Sequence, residues 1–583
     1  MPIVILVVLL LFSTASVASI LDDLPLIGGD QSFRVILSDN VALAVDLRQQ
    51  LERERSGNAD LRLLKAPEAI ARFEANLLSG LLRAKGYYAA QVTWEIGKTR
   101  DYHVAPGPLY ILTEVTFDVP SVTPSLDTSG LGITAGMPLD AKLVLAAQAR
   151  IDAHYQQYSC FYRIEVRYDA RVDHSRHAAS LHFTLAPSEP AHFGAVRFSG
   201  APAVSDEHLV NYLTFASHGC FSRKPLEQTR LELLQSGLLV SVTVETAPPQ
   251  GGLSDIEFKL VERRPRTIKG GLSYDGDAGE GVALGWENRN LFGRGEKLAL
   301  QGEFSGLTTK ADSQITLPHF LAKAQNLVLH ATLERESPAA YTARKGDFGV
   351  ALNRRIAPYL VVGLGADALF TQVEQEGEPV DYGLVGLPFS VDINRRDDLL
   401  DPRHGWNLGA KTEAFWNVRQ LGSKFQKSSL AASVYRSADS WLYSPTLALR
   451  ASLGSIAGEN LNAIPASERF YVGGGGSVRG YAYQSLGALT DNKADGGLSF
   501  GETSAELRLR LSGDWGAVLF VDGGWAYAQQ LPSWGDGFLW GAGVGVRYYT
   551  SFAPIRFDIA TPINRREGLD DTVQLYISIG QAF

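Results

Sequence analysis

From Thr267 to Phe583 the chain is written in segments of about ten residues in which apolar and polar side chains alternate, separated by turns rich in Gly, Asp, Asn and Pro. Ile555-Arg-Phe-Asp-Ile559 sets Ile and Phe on one face and Arg556 and Asp558 on the other, and Val573-Gln-Leu-Tyr-Ile-Ser-Ile579 repeats the pattern. A soluble sandwich would bury the apolar face against a second sheet. Here the opposite face stays charged or glycine-rich over many consecutive strands, which suits a lumen. The segment therefore predicts an all-β transmembrane barrel of about 16 antiparallel strands over 267–583, closed so that no hydrogen-bonding edge is left in lipid. Trp406, Phe415, Trp416, Trp441 and Tyr443, near segment ends, are expected to form interfacial girdles. The last segment, with Val573, Leu575, Ile577, Ile579 and the terminal Phe583, reads as the barrel's closing strand.

A barrel in a membrane requires export. Residues 1–19 form an apolar run ending in small residues, with Ser16-Val-Ala18 as a cleavage signature, and read as a signal peptide. The run is shorter than the ~20 residues of a spanning helix, and no later stretch is long and apolar enough to be one. A net charge of -9 leaves no basic surplus for phosphates, so nucleic acid is not an expected partner.

Between residues 30 and 264 the grammar is different, mixing amphipathic helices with short strands. Pro67 opens a helix that places Ile70, Phe73, Leu77, Leu78, Leu81 and Leu82 near helical spacing, and the strand Gln91–Ile96 follows. The same helix-then-strand unit recurs at Leu139–Tyr155 with Arg163–Tyr168, and at Leu226–Gln235 with Val240–Glu245. The seams Ala105-Pro-Gly107 and Ala186-Pro-Ser188 are offset by roughly 80 residues, as a tandem repeat requires. Three α+β modules of βααββ order result, at 30–107, 108–187 and 188–264. Such modules suit a binding arm better than an enzyme.

The connection from about Gly458 to Leu498 is too long for an ordinary hairpin and contains Arg469-Phe-Tyr-Val-Gly-Gly-Gly-Gly-Ser-Val-Arg-Gly-Tyr481. Val478, Arg479, Gly480 and Tyr481 are expected to form a tight hairpin tip. If this loop folds into the lumen, the guanidinium needs a carboxylate. Phe520-Val-Asp522-Gly-Gly524 supplies a candidate on a later strand. Taken alone, Arg479 would be one more water-facing lumen arginine.

A Val-Arg-Gly-Tyr loop followed by a Phe-x-Asp-x-Gly strand resembles the BamA/TamA superfamily of outer-membrane insertases and translocators. The turn Asn290–Glu296, the turn Arg396–Gly405 and the Gly541–Arg556 hairpin resemble that family's too, and the three modules are similar to POTRA domains. The resemblance implies a lid-like loop packed in the lumen through Arg479, with Asp522 as its inner-wall partner beside Phe520 and Gly524. It implies an outer-membrane location in a Gram-negative bacterium, with the POTRA arm in the periplasm. Three modules resemble the TamA branch. That branch implies unfolded outer-membrane protein or autotransporter substrates, contact with outer-membrane lipid and a periplasm-spanning TamB-like partner. A two-partner secretion pore and a BamA-like general insertase stand as alternatives, and the first is expected to carry two modules and a plug helix.

No enzyme is expected. The eleven histidines show no metal spacing, no G-x-S-x-G elbow appears, and Gly541-Ala-Gly-Val-Gly-Val continues as a strand where a dinucleotide motif would open a helix. No cofactor, metal or catalytic residue is assigned. Cys160 and Cys220 occupy comparable places in neighbouring modules, and an oxidising compartment would join a pair within reach. A bridge clamping the second module to the third is predicted, against two separate thiols.

Overall fold

The computed structural model describes residues 33–579 except 38–39, 58–65, 121–124, 276–278, 376, 421, 440, 442, 512, 534–536 and 551–553. The expected signal peptide, Gly580 and Phe583 lie outside the described residues. Two compact units divide the chain. One runs to Ala195 and takes in Ala216–Leu226 and Thr246–Ile256; the other holds Val196–Phe215, Glu227–Glu245 and everything from Glu257.

The first module runs β1 (Phe33–Ile36), α1 (Val41–Gly57), α2 (Pro67–Ala84), β2 (Gln91–Ile96) and β3 (Arg100–Ala105). Pro67 sits in the first turn of α2, where its missing N–H leaves no helical bond unmade. The helix buries Ala71, Ala75, Leu78 and Leu82 against Phe33, Leu47, Leu51 and Tyr102. Each fully buried leucine of that set contributes ~2 kcal/mol by area.

The second module runs β4 (Ile111–Asp118), α3 (Ala141–Tyr158), β5 (Ile164–Asp173) and β6 (Ala178–Pro187). Its first helix is reduced to a three-residue turn at Ser129–Leu131. The reason is local: Gly132 and Gly136 take positive φ and Pro138 follows, so a longer helix cannot form there. The third runs β7 (His192–Ser199), the one-turn α4 (Asp206–Leu209), α5 (Arg223–Gln235), β8 (Leu239–Thr246) and β9 (Leu253–Glu262). All three sheets share one order, β1-β3-β2, β4-β6-β5 and β7-β9-β8, in which the last strand lies between the first and the second.

The barrel begins with β10 (Arg266–Asp275), β11 (Gly279–Asn288), β12 (Lys297–Phe304), β13 (Thr308–Leu317), β14 (Gln325–Glu336) and β15 (Thr342–Ala357). It continues with β16 (Leu360–Glu374), β17 (Val380–Asn394), β18 (Gly405–Asn417), β19 (Lys424–Ser437) and β20 (Thr446–Ala457). After a long connection holding the small hairpin β21 (Leu489–Thr490) and β22 (Lys493–Ala494), it ends with β23 (Ser499–Arg510), β24 (Trp515–Tyr527), β25 (Leu539–Tyr549), β26 (Pro554–Pro562) and β27 (Gln574–Ile579). The sixteen strands β10–β20 and β23–β27 form a closed antiparallel barrel. No helix among the described residues is long and apolar enough to cross a membrane. The crossing is made by strands whose outward residues, such as Phe348, Val350 and Leu352, are apolar and exposed.

Trp406, Trp416, Trp441 and Tyr443 are exposed, whereas Phe415 is buried and stacks on Phe425, ring centroids 4.9 Å apart. Adjacent residues of a strand face opposite sides, so Phe415 and Trp416 cannot both join an outer girdle. Phe415 belongs to the lumen side instead.

Candidate functional site

The connection between β20 and β23, residues 458–498, folds against the inner wall of the barrel. At its base Phe470 and Gly497 exchange both backbone hydrogen bonds, 2.9 and 2.8 Å. Lys427 pairs with Glu468 at 3.1 Å, and Lys345 donates to the Ser467 carbonyl at 3.3 Å. The expected hairpin tip at Val478–Tyr481 is not formed. Positive φ at Gly473, Gly474 and Gly480 coils the chain into successive turns, so no ladder flanks the motif.

The structure brings Arg479 and Asp522 together. The guanidinium is 2% exposed and grips the carboxylate twice, Nε to Oδ2 at 2.6 Å and Nη2 to Oδ1 at 3.0 Å, while the Arg479 backbone N–H adds a third bond at 3.2 Å. Its face lies over Phe520, 3.4 Å from the ring centroid. Val478 is fully buried with Val472, Leu486 and Ala526, and a Cβ at Gly524 would approach Val472 and Val478 to 2.9 Å. The Tyr481 hydroxyl donates to the Trp540 and Asn564 carbonyls. All seven motif residues thus meet in one buried assembly.

More residues join it than the motifs indicate. Arg479 Nη1 also contacts Glu506 at 2.8 Å and Asp558 at 3.1 Å. Glu506 holds Arg508, and Asp558 holds Arg547 and Arg556. These side chains alternate along β23, β25 and β26, and only the ladder registers reveal that they converge on one point. Glycines on β25 clear the space. A Cβ at Gly541 would lie 2.0 Å from the Arg479 carbonyl oxygen, at Gly543 2.4 Å from the Phe520 ring, and at Gly545 2.0 Å from Asp558 Oδ1. The glycine run is a docking floor for the loop.

The loop also reaches the end of the barrel. Gly480 donates its N–H to the hydroxyl of Tyr576 on β27 at 3.1 Å. Strand β27 closes on β10, and among the described residues their register holds two pairs, Tyr274 with Ile577 and Asp275 with Tyr576. On its other side β27 pairs with β26 at six positions. Ser273 and Leu272, with Ser578 and Ile579 opposite, form no pair with each other, although the first two pair with β11 and the last two with β26. Leu575, Ile577 and Ile579 point outward from this seam, while Val573 precedes the strand and is also exposed.

The turn between β11 and β12 anchors the third module's share of the same unit. Asn290 donates to the Ala203 carbonyl at 2.7 Å, Arg294 pairs with Glu207 at 3.0 Å, and Gly295 leaves room for the imidazole of His208. Burial pushes the His208 imidazole down to about 4, so it is neutral at physiological pH. In the other unit, Cys160 and Cys220 form a disulfide with Cα atoms 4.9 Å apart. Around it the Tyr162 ring packs on Phe221, and Ser222 donates to the Gln156 carbonyl at the end of α3.

Residues 290–583 match the Omp85 superfamily domain. The chain is 22% identical over 428 residues to the outer membrane protein assembly factor BamA of Nitratidesulfovibrio vulgaris, covering 70% of this chain and 53% of that one. It is 23% identical over 481 residues to the BamA of Neisseria meningitidis serogroup B, covering 68% and 57%. The chain thus spans little more than half the length of these curated relatives. Among solved structures, BamA from Haemophilus ducreyi lacking POTRA domains 1–3 superposes with a TM-score of 0.63 at 17% identity, over 81% of this chain and 100% of that one. CdiB from Acinetobacter baumannii gives 0.51 at 15% identity, over 81% and 90%. With half of its length matched to the family's domain on a closed sixteen-stranded barrel, the chain belongs to the Omp85 superfamily.

Proposed function

We propose that this protein is an outer-membrane assembly and translocation factor of TamA type, lying in a Gram-negative outer membrane with its POTRA-like arm in the periplasm. The observation that carries the reading is the junction of β10 and β27, which holds two pairs among the described residues and beside which the Arg479 loop is bonded to Tyr576. A nascent strand needs unpaired N–H and C=O groups, which a fully laddered barrel lacks. Among the described residues the junction offers them where Leu272–Ser273 and Ser578–Ile579 face each other, one residue of each pair turning its N–H and C=O across the seam while the other bonds to β11 or β26. Unfolded outer-membrane proteins or autotransporters would add strands there. The outer strands of the module sheets, such as β2, β5 and β8, would receive extended substrate or a TamB-like partner by strand addition. Three modules favour this over the two-partner secretion pore, and a BamA-like general insertase stands as the alternative.

A disulfide across the seam tests the reading. In a Cys160→Ala/Cys220→Ala background, Ser273→Cys/Ser578→Cys should form a bridge on oxidation. Insertion of an unfolded barrel client into liposomes is expected to fall when the bridge is closed and to recover on reduction. Unimpaired insertion by the bridged protein rules out the seam as the working element.

A further inference from the structure

One stretch of the outward wall serves neither the loop nor the seam. On β15 the outward side chains run Arg344, Gly346, Phe348, Val350, Leu352, Arg354, so two arginines bracket an unbroken apolar stretch. Ten residues at ~3.3 Å each along a strand tilted ~40° rise about 25 Å, the height of a barrel's hydrocarbon-facing band. Arg344 therefore stands at headgroup level on the rim away from Arg266, where the chain enters the barrel. Its ladder partner on β14 is Arg335, which also faces outward. Both are exposed, and among the described residues neither guanidinium has an ion pair or a hydrogen bond. Two strands further along, the outward carboxylate of Asp381 is already held by Gln372 at 3.0 Å and Arg419 at 3.2 Å. Like charges directly opposite on a ladder repel each other unless an anion lies between them.

The wall beneath this pair is concave. A groove of about 590 Å³, within the size range of small-molecule sites, is floored by Gly302, Ala311 and Ala331 and walled by Leu284, Leu333 and Phe348. Leu333 is the next outward residue below Arg335, and Phe348 the second below Arg344. Small side chains lower the floor where a smooth barrel wall would carry large ones.

We propose that Arg335, Arg344 and this groove form a binding site for a phosphorylated lipid, with the phosphate bridging the two guanidinia and an acyl chain lying along the groove. A phosphate offers several acceptor oxygens to two forked donors, which removes the repulsion between them. Placing this rim in the outer leaflet rests on the function proposed above; the binding itself does not.

Native mass spectrometry of the detergent-solubilised full chain, titrated with dioleoyl phosphatidic acid, dioleoyl phosphatidylcholine or inorganic phosphate, tests the site. The wild type is expected to prefer phosphatidic acid over phosphatidylcholine by about tenfold or more. Arg335→Gln/Arg344→Gln should erase that preference, and Ala311→Leu/Ala331→Leu should weaken both lipids by filling the groove. Arg354→Gln, on the opposite rim of the same strand, should leave the preference intact. A preference that survives in the double arginine variant overturns the proposal. So does inorganic phosphate that binds as tightly as the lipid and is indifferent to the groove variant, since that describes a free-anion site. No client takes part in this measurement, so its failure leaves the seam test standing, and a bridged seam that still inserts clients leaves this site standing.

Discussion

Arg479 shows how strongly one side chain can fix a loop. A guanidinium this deeply buried is tolerable only with full pairing, and it receives Asp522, Asp558 and Glu506 together. Arg479→Ala leaves those carboxylates short of a cation, and breaking a buried pair this way costs about 3–5 kcal/mol. The loop should therefore undock, and limited trypsin digestion should cleave at Arg469 and Lys493 far faster than in the wild type; an unchanged cleavage rate would contradict the docking role. The Arg479 and Asp522 partnership is legible in the sequence through the family resemblance of the Val-Arg-Gly-Tyr loop and the Phe-x-Asp-x-Gly strand, since by residue type alone Arg479 reads as one more water-facing lumen arginine. Glu506, Arg547 and Asp558 are not, since a charge at every second position reads as ordinary lumen wall until the register is known. Nor is the role of Gly541, Gly543 and Gly545, because sequence alone cannot say what a missing Cβ makes room for.

At the scale of elements, periodicity predicts most of the pieces. The helix expected from Pro67 ends at Ala84, the strand Gln91–Ile96 appears as read, and the long connection occupies 458–498. The reduced first helix of the second module follows from glycines and a proline that a helical-spacing search skips. Phe415 faces the lumen and not the expected girdle, because strand alternation separates it from its neighbour Trp416 although the two aromatics are adjacent in sequence. The disulfide spans 60 residues, a loop whose closure contributes about 4 kcal/mol in the chain-entropy account. Reduction should raise amide exchange at the end of α3 and around Phe221 while the barrel strands keep their protection. Unchanged exchange in both segments would show that packing at Tyr162 and Phe221 holds the two modules without the bridge.

For the molecule as a whole, a wall apolar outside and charged inside explains how a chain with 20% charged residues can cross a bilayer. A closed barrel gives every backbone group a partner, except where the ladder is short. Each net hydrogen bond contributes only ~1 kcal/mol, so the junction, which holds two pairs among the described residues, is where the proposed function has the cylinder yield first, and the docked loop beside Tyr576 is positioned to hold it. The most direct test of this claim is amide hydrogen exchange across all sixteen strands in a lipid nanodisc. In each of Leu272–Ser273 and Ser578–Ile579, the one amide that points across the seam rather than to β11 or β26 is expected to exchange far faster than those of β16 and β17, and faster again in Arg479→Ala. Protection at the β10 and β27 junction equal to that of the other strands, unchanged by loss of Arg479, would contradict the account.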